Sequence, residues 1–187
     1  MSDTIIKIPA ELFALAECSH FQGEYDLPEL AMGPDDYTFA APLAWRVDVT
    51  NTGAALLVEG AVTGSGTCAC SRCLEDVQHD FNGQIEGYFL IGVDSAPRYD
   101  DDDEELGEDE FDVLPEDHML DLAPLIQAAL MVDAPDMPLC RDDCAGLCPQ
   151  CGANLNEGPC GCGEDPELAA FEKQANPFSA LADFKFE

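Results

Sequence analysis

The sequence predicts an α+β protein: an antiparallel β-meander packed by one amphipathic helix, followed by a cysteine-rich C-terminal module. Three patterns carry that expectation. Residues from Leu43 to Ile91 alternate apolar and polar side chains with the period of strands. Leu122, Leu125, Ile126, Ala129 and Leu130 recur at helical spacing. Six of the ten cysteines fall within 23 residues, from Cys140 to Cys162.

Residues 1–36 open with Ile5-Ile6-Lys7-Ile8 and the apolar patch Leu12-Phe13-Ala14-Leu15, then become acidic and punctuated by Gly and Pro. They are expected as an edge strand and a partly ordered arm. Cys18 and His20 stand alone there, and such residues more often pack or face solvent than bind a ligand.

Residues 37–135 are expected to form the core. Leu43, Trp45, Val47 and Val49 alternate with Ala44, Arg46, Asp48 and Thr50, and Asn51-Thr52-Gly53 supplies a tight turn. A second strand carries Leu56, Val58 and Val62 on one parity and runs toward Cys68 and Cys70. A third sets Val77, Phe81, Ile85, Phe89 and Ile91 against Asp80, Asn82, Gln84 and Glu86. Short turns between consecutive strands make the arrangement antiparallel.

An acidic loop over 99–112 interrupts this core; residues 100–110 hold nine carboxylates in eleven positions. Their mutual repulsion predicts a solvated connector. The run lacks the spaced oxygens and central glycine of an EF-hand, so calcium is the weaker reading. Asp121 is placed to cap the helix, Pro124 is tolerated in its first turn, and Ala134-Pro135 ends it. In the final module, 136–187, Asp165-Pro166 and Asn176-Pro177 each start a short helix or an anchored tail.

The module's chemistry lies in its sulfurs. Cys148-Pro-Gln-Cys151-Gly is a knuckle whose two thiolates can reach one ion, and Cys160 and Cys162 bring the donors to four, the tetrahedral number for structural zinc. Four protein ligands leave no position for water, so such a site staples a fold and hydrolyses nothing. Two further pairs, Cys70-x2-Cys73 at a strand-to-strand turn and Cys140-x3-Cys144, could each supply half of a second zinc site. They could instead be free thiols or a redox pair. A thioredoxin-type motif would open a helix after a strand, which this context does not offer. Cys18 and Cys68 have no assigned partner, although Cys68 could compete as a ligand.

No basic, apolar leader precedes a cleavage site, so a reducing cytoplasm is expected and disulfides are not. His20, His79 and His118 sit in unrelated contexts, and neither a nucleophile elbow nor a phosphate loop is present, so no enzyme is expected. With 39 acidic and 7 basic residues, a net charge of -32, the chain repels phosphate over a Debye length of about 8 Å. Direct nucleic-acid contact is therefore disfavoured and a basic protein partner favoured. Acidity can also serve solubility or salt adaptation alone.

One ordered set is more specific. Cys70-Ser-Arg-Cys73-Leu74, the Asp121-Leu122 helix start, Cys140-x3-Cys144-Ala-Gly-Leu-Cys148-Pro-Gln-Cys151-Gly-Ala-Asn154-Leu155-Asn156, and Asn176-Pro177-Phe178-x2-Leu181 together resemble the large ribosomal RNA subunit accumulation protein family, or YceD family. The resemblance implies a bacterial cytoplasmic protein, with chloroplast relatives, needed for accumulation of large-subunit ribosomal RNA and not known as an enzyme. It suggests a non-catalytic ribosome-biogenesis factor that binds a basic ribosomal protein or an RNA-processing partner. A zinc-ribbon RNA binder and a thiol redox factor are the alternatives. Around the cysteine block Arg141 is the only cation between Arg98 and Lys173, which leaves phosphate little to contact.

Overall fold

A computed structural model of the chain describes residues 4–33, 35–92 and 112–162. Strand β1 (Ile5–Lys7) and a 3-10 turn (Ala10–Phe13) lead into β2 (Cys18–Tyr25), β3 (Glu29–Met32) and β4 (Asp35–Phe39). The meander follows as β5 (Leu43–Asn51), β6 (Ala55–Ala69) and β7 (Asp76–Leu90). Strands β8 (Asp112–Val113) and β9 (Met119–Asp121) precede helix α1 (Ala123–Asp133). Among the described residues the fold is the expected α+β arrangement, mostly antiparallel sheet with one α-helix.

The 15-residue β6 is the spine of a seven-stranded sheet. Its register with β7 runs from Ala55↔Leu90 to Ala69↔Asp76. Its other edge is shared end to end by β5 and β4, which pair as Ala44↔Thr63 and Phe39↔Gly66. Strand β2 extends β5, β3 extends β4, and β8 adds in parallel to β7. At the β5–β6 turn, Asn51 Oδ1 accepts the Gly53 N–H at 2.7 Å, and Gly53 takes a φ of 105° that favours glycine. The Asn51 amide also donates to the Leu12 carbonyl at 2.9 Å, tying the 3-10 turn to the sheet.

One sheet face is apolar and buried. Leu43, Trp45, Val47 and Val49 join Leu56, Val58, Val62, Phe81, Ile85 and Phe89 under α1, which buries Ile126, Ala129 and Leu130. Each such side chain contributes roughly 1.5–3 kcal/mol on burial. Leu125, expected on the same stripe, is partly buried against this core. Among the described residues no element packs over the opposite face, which is mostly polar. Across it Asp48 stands beside Glu59, and Glu59 directly opposite Glu86.

Three expectations need correction or fall outside view. The opening segment is no arm: β2 and β3 are integral strands, β1 pairs with β9, and Leu12, Tyr25 and Leu30 are buried. Its pattern is faint because strands near a sheet edge cover only part of one face. The helix cap also differs. Leu122 holds the cap position without a side-chain bond, because Asp121 is still paired in β9; its carboxylate accepts the Ala123 N–H at 2.9 Å from one residue further out. The acidic run at 100–110 and the helices after Asp165 and Asn176 lie outside the described residues.

Gly83 and Gly87 sit on the buried parity of β7 and let α1 approach. A Cβ on Gly83 would lie 2.6 Å from the Ala129 carbonyl oxygen, whereas one on Gly87 would meet the flexible end of Leu125 at 2.7 Å. Backbone cannot step aside as a leucine methyl can. Gly83→Ala should therefore destabilise by about 1–3 kcal/mol and Gly87→Ala by less, read from urea unfolding midpoints.

Candidate metal centre

The turn between β6 and β7 is the knuckle Cys70-Ser-Arg-Cys73. Its ends are closed by the Cys70 N–H donating to Glu75 O at 2.7 Å and the Leu74 N–H donating to Cys70 O at 2.9 Å. After α1 the chain returns to this turn, where the Ser71 N–H and hydroxyl both donate to the Pro138 carbonyl, at 2.9 and 3.1 Å. That brings Cys140 and Cys144 onto Cys70 and Cys73. The sulfurs of Cys70 and Cys144 are 3.8 Å apart, those of Cys73 and Cys140 3.6 Å, and all four lie within 4.8 Å of one another.

A second quartet, Cys148, Cys151, Cys160 and Cys162, is gathered to the same tolerance. It is built on a matching turn, with the Gly152 N–H donating to Cys148 O at 2.8 Å and Gly152 at a φ of 73°. Leu74 occupies the equivalent place in the first knuckle at a φ of 63°, with its side chain exposed.

These dimensions suit a metal. Four bonds of 2.3 Å in tetrahedral directions put sulfurs about 3.8 Å apart. A disulfide needs about 2.05 Å, and all ten cysteines are free. Electrostatics points the same way. Burial pushes the Cys70 thiol up, but the N–H groups of Cys73, Arg72 and Cys140 outweigh it and bring the group down to about 6. The Glu75 N–H favours a Cys73 thiolate, yet burial and the neighbouring sulfurs push it up to about 12. The Asn156 amide lowers Cys144, and burial raises Cys140. In the second quartet the N–H groups of Cys151 and Gln150 pull Cys148 down to about 6, while the Cys151 sulfur pushes Cys162 up to about 12 and Cys148 raises Cys160. Four sulfurs this close cannot all ionise unless a cation joins them. Each quartet could hold one metal ion with no position left open.

The remaining sequence-selected residues are elsewhere. Cys68 packs in the main hydrophobic core beside the quartet without joining it, and Cys18 is exposed on β2. His20 pairs with Asp48 on the open face, His79 packs edge-on against Phe81 at 4.6 Å, and His118 lies 4.7 Å from Phe13. Neither quartet takes a histidine.

Spacing alone assigns no role to four residues that brace the sulfurs. The Arg72 guanidinium donates to Cys144 O at 3.0 Å, and Leu147 N–H donates back to Arg72 O at 3.1 Å. Asn154 donates to the Glu75 carboxylate at 2.9 Å, and Asn156 donates to the Cys144 sulfur at 3.4 Å. Two asparagines placed two apart after a knuckle glycine are the only sequence signal for this.

Comparison with known proteins places the same block in context. Residues 58–185 match the family model described as Large ribosomal RNA subunit accumulation protein YceD. Uncharacterised proteins of Mycobacterium tuberculosis and Mycobacterium bovis are each 32% identical over 81% of this chain and 67% of their own length. The Arabidopsis thaliana protein named Large ribosomal RNA subunit accumulation protein YCED homolog 1, chloroplastic, is 28% identical over 70% of this chain and 46% of that protein. No solved structure matches.

Removal of metal should loosen one region selectively. Chelation of the loaded chain should open residues 136–162 and the Cys70–Leu74 turn to protease while leaving the strand signal in circular dichroism nearly intact. Rebinding should weaken as pH falls, because thiols held near 12 must lose protons to ligate.

Proposed function

The chain belongs to the YceD family of large ribosomal RNA subunit accumulation proteins, and from that membership we propose that it acts as a non-catalytic factor in large-subunit biogenesis. The carrying observation is the match over residues 58–185, which includes both cysteine quartets. Zinc is the metal proposed for each quartet, through Cys70, Cys73, Cys140 and Cys144 and through Cys148, Cys151, Cys160 and Cys162. Four soft thiolates in tetrahedral array suit a closed-shell ion with no redox chemistry. The metal supplies rigidity, and the protein supplies a fixed surface in a reducing bacterial cytoplasm.

The proposed partner is a basic protein, such as a large-subunit ribosomal protein or an RNA-processing factor. Asp48, Glu59 and Glu86 lie side by side on the open sheet face, where like charges directly opposite one another oppose folding. A cationic partner would relieve that repulsion. Direct RNA contact is less well supported. Among the described residues the cations are Lys7, Arg46, Arg72 and Arg141, and two are engaged internally: Arg72 with the Cys144 carbonyl and Arg141 with Asn156 at 2.6 Å. A thiol redox role is disfavoured by the burial of Cys70, Cys73 and Cys144 among other sulfurs. Among the described residues no helix is long and apolar enough to cross a membrane.

Glu59→Lys separates partner binding from stability. It places a cation opposite Asp48 and Glu86 in the strand register where a like charge stood, so the variant should be as stable as the parent or more stable by at most about 1 kcal/mol. Its capture of purified basic large-subunit ribosomal proteins should nevertheless fall, and parental capture should weaken with added salt. Equal capture by parent and variant, independent of salt, would remove the acidic face from the proposal.

A further inference from the structure

The two quartets are not separate. Asn154, Leu155 and Asn156 lie in the segment between Cys151 and Cys160, within the span of the second quartet, yet their polar groups reach toward the first. The Asn156 side-chain N–H donates to the Cys144 sulfur at 3.4 Å. Its Oδ1 accepts from Arg141 at 2.6 Å and from the Ala145 N–H at 2.8 Å, fixing the backbone that carries Cys144. Asn154 Nδ2 donates to the carboxylate of Glu75, two residues after Cys73, and Asn154 Oδ1 accepts the Asn156 N–H at 3.0 Å. Leu155 N–H donates to Gly146 O at 2.9 Å and Cys148 N–H to Ala153 O at 2.8 Å, closing the loop back on the linker between the quartets.

We propose that Asn156 is a positioning residue that couples the two metal sites, so that filling either quartet raises the affinity of the other. A metal on Cys148, Cys151, Cys160 and Cys162 closes the loop bearing Asn156 and holds its amide against Cys144. The amide stabilises the Cys144 thiolate and aims it at its own site. Hydrogen bonds to ligating atoms of this kind are commonly worth 10–100-fold in metal affinity. Because coupling between two binding events is reciprocal, metal on the first quartet favours metal on the second by the same factor. The inference rests on the proposal that both quartets bind metal.

The test uses the full-length reduced chain titrated with cobalt(II), followed by its thiolate-to-metal absorption and by competition with a chelator of known affinity. The parent should take up two ions in one steep step. Asn156→Asp keeps the oxygen that accepts from Arg141 and Ala145 but loses the N–H to sulfur. It should still take up two ions, now in two resolved steps, with the weaker roughly 10–100-fold reduced in affinity. Cys151→Ser with Cys162→Ser should weaken the remaining site comparably, and adding Asn156→Asp should cost little more. Parental affinity at both sites in Asn156→Asp would overturn the coupling, whether or not the cysteine variant folds. A parent that binds two ions in independent steps would overturn the coupling alone. A parent that binds none would overturn the metal proposal with it.

Discussion

The arrangement depends on a single long-range constraint: the knuckle between β6 and β7 and the segment after α1 must meet, although Cys73 and Cys140 are 67 residues apart in sequence. Ordinary packing cannot hold that meeting. Beyond Leu130 the buried apolar side chains among the described residues are few: Pro138, Cys144 and Cys148, with Leu139 and Leu147 partly covered beside the first quartet. A stretch with so little apolar burial cannot offset the entropy of ordering its backbone, about 1–2 kcal/mol per residue. Structural zinc in small modules contributes on the order of 10 kcal/mol or more, enough to change that balance. The sheet supplies a hairpin end as half of the first quartet, and a metal ion held there would convert it into an anchor for the rest.

The body of the protein divides its labour differently. Its buried face is a conventional apolar core, closed by a helix that two glycines admit to close range. Its open face keeps carboxylates in opposition that a stability optimum would remove. That exposed face, next to a module that a metal ion could fix, would suit the proposed docking of a basic partner. The family to which the chain belongs is named for large ribosomal RNA subunit accumulation.

Much of this was legible in the sequence. The Leu43–Val49 and Val77–Ile91 alternations read directly because those strands have one fully buried face. Cys148-x2-Cys151 read directly because two thiolates at that spacing need only a local turn. The Cys70/Cys140 pairing was legible as one option among several, since topology and not spacing decides which turn the returning chain meets. Strand β2 was harder to see because Cys18–Tyr25 is only half covered. Gly83 and Gly87 gave a signal that alternation cannot interpret: glycine on a buried parity marks close approach, without saying what approaches. The asparagines at 154 and 156 act through contacts to Glu75 and Cys144, which no local pattern encodes.

A closed four-sulfur metal shell at each quartet is the central proposal. X-ray absorption at the zinc edge, on the full-length chain isolated under reducing conditions, should find two zinc ions per chain, each with four sulfur neighbours at about 2.3 Å and no nitrogen or oxygen in the shell. A shell containing water or carboxylate oxygen, or sulfur coordination accounting for only one ion per chain, would contradict it.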